Sequence, residues 1–189
     1  MTIRHVGILA IALIVLSACK VATLEEVTVT QPTFGIEAED WGVPATSELR
    51  QDAYHAPTPA THPTATVINT QDLHAMLIGP NPPVTINSAS GKNQAASIPG
   101  SVWLPAAGQG GSFDDNIQTY LASMMQTITD DDLARPIVVY CVDANCWLSY
   151  NAALRLHAIG HVNLYWYRGG IAAWKAASLP TRMTAAYRQ

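Results

Sequence analysis

The chain has 189 residues, a net charge of −4 and 49% hydrophobic residues. Its 10 Lys and Arg residues form no cluster, so it lacks the basic face that nucleic-acid binding needs. Its 3 cysteines place no third ligand of metal-site spacing beside Cys141 and Cys146, so no metal centre is implied, and no residue pattern here binds an organic cofactor.

The chain opens with an address. Residues 1–18 read as a signal peptide: Arg4 and His5 give a positive start, and Val6 to Val15 an apolar core too short to span a bilayer. Leu16-Ser17-Ala18-Cys19 resembles the lipobox of bacterial lipoproteins, which implies cleavage before Cys19 and acylation of that residue. Lys20 stands where an Asp would favour inner-membrane retention, so the expectation is a periplasmic protein anchored by lipid, with the outer membrane favoured.

Residues 19–64 carry the lipid-attachment cysteine and a Pro/Thr-rich extended linker. Residues 20–52 show no sustained periodicity and read as a tether. Residues 54–66 hold three prolines among small residues, which disfavours helix and predicts an extended run. That run is either a spacer or a strap packed on the domain, with Tyr54 as its anchor.

Residues 65–189 form the compact domain. Thr70 is the expected cap of a helix through Leu77, with Asp72 in its first turn. Val84 to Asn87 reads as a short buried strand, Ile98 to Ser101 as a turn, and Val102 to Leu104 as an apolar strand ended by Pro105. Gly108 to Gly111 is expected to be flexible. Asp114 to Thr129 is helical, with Ile117, Tyr120, Leu121, Met124 and Met125 on one face; the methionines are core filler rather than metal ligands. Ile137 to Tyr140 is a continuous apolar run, as a central parallel strand requires. Leu148, Ala152, Leu156 and Ile159 mark the inward stripe of the next helix. His157 and His161 read as surface or helix-end residues. Val162 to Tyr165 is a further strand, and Ile171 to Ala177 the last helix. Alternating strands and helices predict an α/β class with a mainly parallel central sheet covered by helices on both faces.

The chemistry is expected where the central strand ends. Cys141 follows that strand directly, and the residues Val142, Asp143, Ala144, Asn145 and Trp147 run into the next helix. A thiol there faces backbone N–H groups that favour a thiolate and cradle an anion. Once Cys19 is acylated, Cys141 and Cys146 are the remaining thiols. In an oxidising compartment they form a disulfide if their Cα atoms come close enough.

Several of these pieces together resemble the rhodanese-like fold over roughly residues 65–182: Thr70 to Leu73, Val84 to Asn87, Ile98-Pro99-Gly100-Ser101, Ile137 to Cys141, Ala152-Ala153, Gly160, Gly169-Gly170, Trp174 and Leu179-Pro180. The resemblance implies a sulfurtransferase scaffold in which a cysteine in the place of Cys141 carries a sulfane sulfur. A narrower resemblance is to secreted rhodanese-like proteins associated with pyrroloquinoline-quinone (PQQ)-dependent catabolism of alcohols and named for a CXXCW motif. It rests on Tyr54 to Thr61, on Ile98 to Pro105 and on Cys146-Trp147. It implies a periplasmic accessory protein whose partner is a PQQ-dependent dehydrogenase or its cytochrome.

The departures are informative. Four residues separate Cys141 from Cys146, where the narrower family's name implies two. The loop holds Asp143 and no basic residue, which disfavours a thiolate and repels an anionic donor such as thiosulfate. Ser149 fits a family serine at the loop's end only if the loop is longer than usual, and Asn87 replaces an Asp common in the family. Three readings follow. Cys141 is a redox or persulfide nucleophile resolved by Cys146; or the two form a static disulfide shaping a partner-binding loop, with Trp147, Tyr165, Trp166 and Tyr167 either as a contact surface or as core, the core being favoured for Tyr165 and Tyr167; or the chain is a sulfurtransferase carrying a persulfide on Cys141.

Overall fold

The structure, a computed structural model, describes residues 23–91 and 94–188. The expected signal peptide and Cys19 lie outside the described residues. In chain order the elements are β1 (Thr66–Ile68), α1 (Thr70–Ile78), β2 (Val84–Asn87), β3 (Gln94–Ser97), β4 (Val102–Trp103), α2 (Asn116–Thr129), β5 (Ile137–Tyr140), α3 (Trp147–Ile159), β6 (Leu164–Tyr167), α4 (Gly170–Ala176) and β7 (Arg182–Ala185).

Five strands make one parallel sheet in the order β1-β6-β5-β2-β4, which places β5 at its centre. Its four residues are all buried, and they alternate between two cores. Ile137 and Val139 face Leu121, Met125, Ala152 and Leu156 of α2 and α3. Val138 and Tyr140 face Leu73, Ile171 and Trp174 of α1 and α4. Burial on both faces is why β5 reads as an unbroken apolar run. The class is therefore α/β, with a mainly parallel sheet flanked by helices on both sides.

Several local expectations need correction. The cap of α1 is Asn69, whose side chain accepts from the Asp72 N–H while Asp72 reaches back to the Asn69 N–H. That reciprocal box outcompetes a cap at Thr70, and it frees the Thr70 hydroxyl for Glu37 and Tyr167. The sixth strand starts two residues later than expected, because Val162 is a 72% exposed connection residue. On α2, Leu121, Met124 and Met125 are buried but Tyr120 faces solvent. Residues 108–111 are not a free loop: Asn151 donates to the Gly108 carbonyl and Arg155 to those of Gln109 and Gly110. His161 lies at the end of α3, just past its cap Gly160, one of the two places expected, but it is buried. The antiparallel ribbon β3–β7 and the edge strand β1 were outside the sequence reading. Each is three or four residues long, too short for a clear period-two signal.

Helix α3 is buried almost all round, from Trp147 to Leu156. One side lies on the sheet. The other is covered by the segment before β1, where Leu49 and Tyr54 pack with Trp147, Tyr150, Leu154 and Trp166. The segment is pinned along its length: the Tyr150 hydroxyl donates to the Thr46 carbonyl at 2.8 Å, and Asn151 joins both backbone groups of Arg50. Of the two readings of residues 54–66, the packed strap is the one the fold displays.

Candidate functional site

β5 ends at Tyr140, and the chain then turns through residues 141–146 before α3 starts at Trp147. Cys141 and Cys146 are joined by a disulfide with their Cα atoms 6.0 Å apart. Both are buried, Cys141 to 1% exposure and Cys146 to 6%. They pack with Ala89, Leu148 and the ring of Tyr54. Val142 at the loop's tip is 45% exposed.

The backbone donors at the α3 end of the loop are committed. The Cys146 N–H bonds to the Asp143 carbonyl at 3.1 Å, and the Asn145 N–H to the Asp143 carboxylate at 2.8 Å. The Trp147 N–H, first of α3, bonds to the Tyr54 carbonyl at 2.9 Å. The expected ring of free N–H groups is thus partly spent in this closed form. Asp143, read from sequence as an electrostatic obstacle, also acts locally as the turn's own acceptor.

Tyr54 to Thr58 crosses the loop. His55 pairs with Cys146 as an antiparallel bridge, and the Ala56 N–H bonds to the Asn145 carbonyl at 2.8 Å. The Thr58 hydroxyl donates to the Ala144 carbonyl at 2.6 Å, and the Trp147 indole N–H to the Pro57 carbonyl at 3.1 Å. Arg168 holds the strap from below. It donates to the Thr58 hydroxyl and carbonyl at 3.1 and 3.0 Å, and to the carbonyls of Glu37 and Glu39. Its guanidinium also stacks 4.8 Å from the Trp41 ring centroid. Burial lowers the Arg168 pKa below its ordinary value.

The other side of the loop is set by the Gly169-Gly170 turn. The N–H groups of Ile171 and Ala172 bond to the carbonyls of Cys141 and Val142 at 3.0 and 2.9 Å. Gly170 has φ +60, and a Cβ there would lie 2.6 Å from the Cys141 carbonyl oxygen. Behind Gly169 sits Glu37. One of its carboxyl oxygens accepts from the Phe34 N–H and the Thr70 hydroxyl, while the other is buried without a partner. Burial pushes the Glu37 carboxyl above the usual carboxylate range.

Beneath the loop, Ser149 donates to the Cys146 carbonyl at 3.2 Å and accepts from the Trp166 indole at 2.9 Å. Asn87 at the end of β2 bonds to Ser97 and to the Ala89 N–H, a neutral substitute for an ion pair. The proposed aromatic contact surface does not exist as such. Trp147, Trp166 and Tyr167 are buried, with Trp166 and Tyr167 at 0% exposure. They are consumed by the strap above α3 and by the core, a demand hidden while residues 20–52 read as a tether and 54–66 as either a spacer or a strap.

A rhodanese-like domain model matches residues 70–177 of the chain. The chain belongs to the rhodanese-like domain family. No curated protein matches it. Among solved structures it is similar to the full-length protein from Lactobacillus plantarum, at 21% identity over 64% of this chain and 88% of that one, with a TM-score of 0.44. It is also similar to the Rhodanese_3 like domain of an Anabaena sp. protein, at 19% identity over 53% of this chain and 98% of that one, with a TM-score of 0.38.

Within the rhodanese-like frame, the structure brings Cys141, Cys146, Val142 to Asn145 and Trp147 into one loop at the end of the central strand. Arg168, Thr58 and Glu37 are the residues that sequence reasoning missed around it. A charged residue directly before the Gly169-Gly170 turn was the available signal for Arg168. Among the described residues no group of three or more His, Cys, Asp or Glu side chains could hold a metal, and no helix is long and apolar enough to cross a membrane.

Proposed function

We propose that this rhodanese-like protein is an accessory protein whose resting form is closed at Cys141–Cys146, rather than a constitutive sulfur carrier. The observation that carries the reading is the disulfide itself, at the position where the family resemblance puts the sulfur-accepting thiol. With its sulfur bonded to Cys146, Cys141 has no thiolate to attack a sulfane donor. The closed pair shapes the loop whose tip, Val142, faces solvent, and that loop is the surface offered to a partner.

The leader, the lipobox-like Leu16 to Cys19 and the CXXCW-like features support a periplasmic lipoprotein, anchored at the outer membrane, that assists PQQ-dependent alcohol oxidation beside a dehydrogenase or its cytochrome. An oxidising compartment also suits a persistent disulfide. A second reading, sulfur transfer through a persulfide on Cys141 after reduction, is favoured by the position of Cys141 at the end of β5.

The test treats the protein, as isolated and after reduction, with colloidal elemental sulfur and with thiosulfate, sulfane donors that need a thiolate on the protein to attack them. Added sulfur on Cys141 is read by mass spectrometry. The closed form is expected to gain none. Sulfur loading of the as-isolated protein at Cys141 overturns the reading. Fatty-acid labelling of the full chain, lost in Cys19→Ala, tests the anchor.

A further inference from the structure

We propose that Tyr54 to Thr58 is an autoinhibitory strap, which must peel off the loop before any thiol can reach the Cys141–Cys146 disulfide. The proposal rests on the closed pair described above and adds what controls its opening. Thiol–disulfide exchange needs a thiolate to approach one sulfur along the S–S axis. Neither sulfur offers that approach, with Cys141 1% and Cys146 6% exposed.

Ala89 and Leu148 pack against the pair from the domain, and this segment supplies the cover over Cys146. Its contacts bracket Cys146: Ala56 N–H on Asn145, Tyr54 carbonyl on the Trp147 N–H, and His55 paired with Cys146 itself. Two anchors close its ends. At one end the Tyr54 hydroxyl donates to the Gln51 carbonyl at 2.8 Å and accepts from the Gly110 N–H at 2.7 Å. At the other, Thr58 bridges Ala144 and Arg168. Arg168 is 2% exposed, yet its hydrogen bonds go to Thr58 and to the carbonyls of Glu37 and Glu39 rather than to a carboxylate. The cation thus fastens the strap to the turn that holds the loop.

The strap opens with the central sheet intact. It belongs to none of the five sheet strands, and Pro57 and Pro59 keep it extended whether docked or free. Hydrogen bonds at Tyr54, Ala56, Pro57 and Thr58 hold it, so the open form is a rare, sub-global state that lies below the global unfolding free energy. With the strap gone, the electron transfer is ordinary. A dithiol attacks Cys146 Sγ, the S–S bond breaks, and Cys141 leaves as a thiolate. The second thiol then displaces Cys146, so the pair gains two electrons and two protons and the dithiol leaves as a cyclic disulfide.

The test measures reduction of the native protein by dithiothreitol, quenched by alkylation and read by mass spectrometry. Thr58→Val removes the hydroxyl that serves both Ala144 and Arg168, and reduction is expected to accelerate by about tenfold for two lost hydrogen bonds. Tyr54→Phe, which keeps the ring in the cluster, serves as a second, milder variant if Thr58→Val folds poorly. Global unfolding rates are measured in parallel. In the wild type, the Ala56 and Trp147 amides should exchange hydrogen with the same opening constant that limits reduction. Equal reduction rates in wild type and both variants overturn the strap, as does wild-type reduction as fast as in the denatured chain. If Cys141 and Cys146 are free from the start, the closed-pair reading fails instead. The strap is then judged by Cys141 alkylation, slow in wild type and faster in Thr58→Val if it stands, equal if it falls.

Discussion

Gly170→Ala isolates how the Gly-Gly turn sets the sulfur loop. Gly170 has φ +60, and a left-handed conformation costs a non-glycine residue about 1–2 kcal/mol. The new Cβ would also lie 2.6 Å from the Cys141 carbonyl oxygen and 2.7 Å from the Val142 carbonyl carbon and oxygen. Those atoms are backbone and cannot swing away as a flexible side chain would. Relief requires the loop to retreat from α4, which strains or breaks the Ile171 and Ala172 hydrogen bonds to Cys141 and Val142, at about 0.5–1.5 kcal/mol each. The sum is about 2–5 kcal/mol. Gly100→Ala supplies the control, because Gly100 has φ +83 but nothing within 4 Å of its Cβ position. It should cost only the left-handed share, about 1–2 kcal/mol. Urea unfolding followed by tryptophan fluorescence gives both values. If Gly170→Ala costs no more than Gly100→Ala, the close approach of the turn to the loop does not hold the site.

Other perturbations address the loop's covalent tie and the acid side of the stability curve. Replacing Cys141 and Cys146 together by Ser opens a loop with a separation of 5 residues; chain entropy assigns this about 2 kcal/mol, readable by urea titration. Asp115 pairs with Arg155, and that hydrogen bond holds its carboxyl well down, from 3.8 to about 2. A depressed carboxylate stabilises above its unfolded value and loses that contribution as pH falls through the folded one, so Asp115→Asn should flatten the stability loss between those values. Burial lowers the His62 pKa from 6.5 to about 4. The unfolded chain therefore binds the proton first, and stability should fall as pH drops across that window. His62→Phe, which keeps a ring against Tyr150, should remove this slope in thermal melts at a series of pH values.

Much of the parallel sheet was legible because β5 and its neighbours are buried on both faces and so read as apolar runs between helical stripes. The α1 cap was missed by one residue because both Asn69 and Thr70 can cap, and only the Asp72 partner decides between them. The cysteine loop was legible in place, since a strand ending in Cys141 and a Gly169-Gly170 turn are local signals. Its cover was not. Tyr54 to Thr58 meets Ala144 to Trp147 across about ninety positions, a pairing with no periodic signature. The same long-range contacts turned Trp147 and Trp166 from apparent surface aromatics into core, because their burial depends on a segment that reads as polar and irregular. Arg168 is the clearest case: a lone charge in a strand-to-helix turn looks solvated until its backbone acceptors are in place.

The central claim is that the rhodanese-like loop is closed by Cys141–Cys146 in the resting protein. It is tested most directly by alkylating the denatured, unreduced protein isolated from an oxidising compartment, followed by mass spectrometry of the tryptic peptide ending at Arg155. The account predicts that neither cysteine is alkylated and that the peptide is lighter by two hydrogens than its reduced form. Alkylation at both cysteines, or an additional sulfur carried on Cys141, would contradict it.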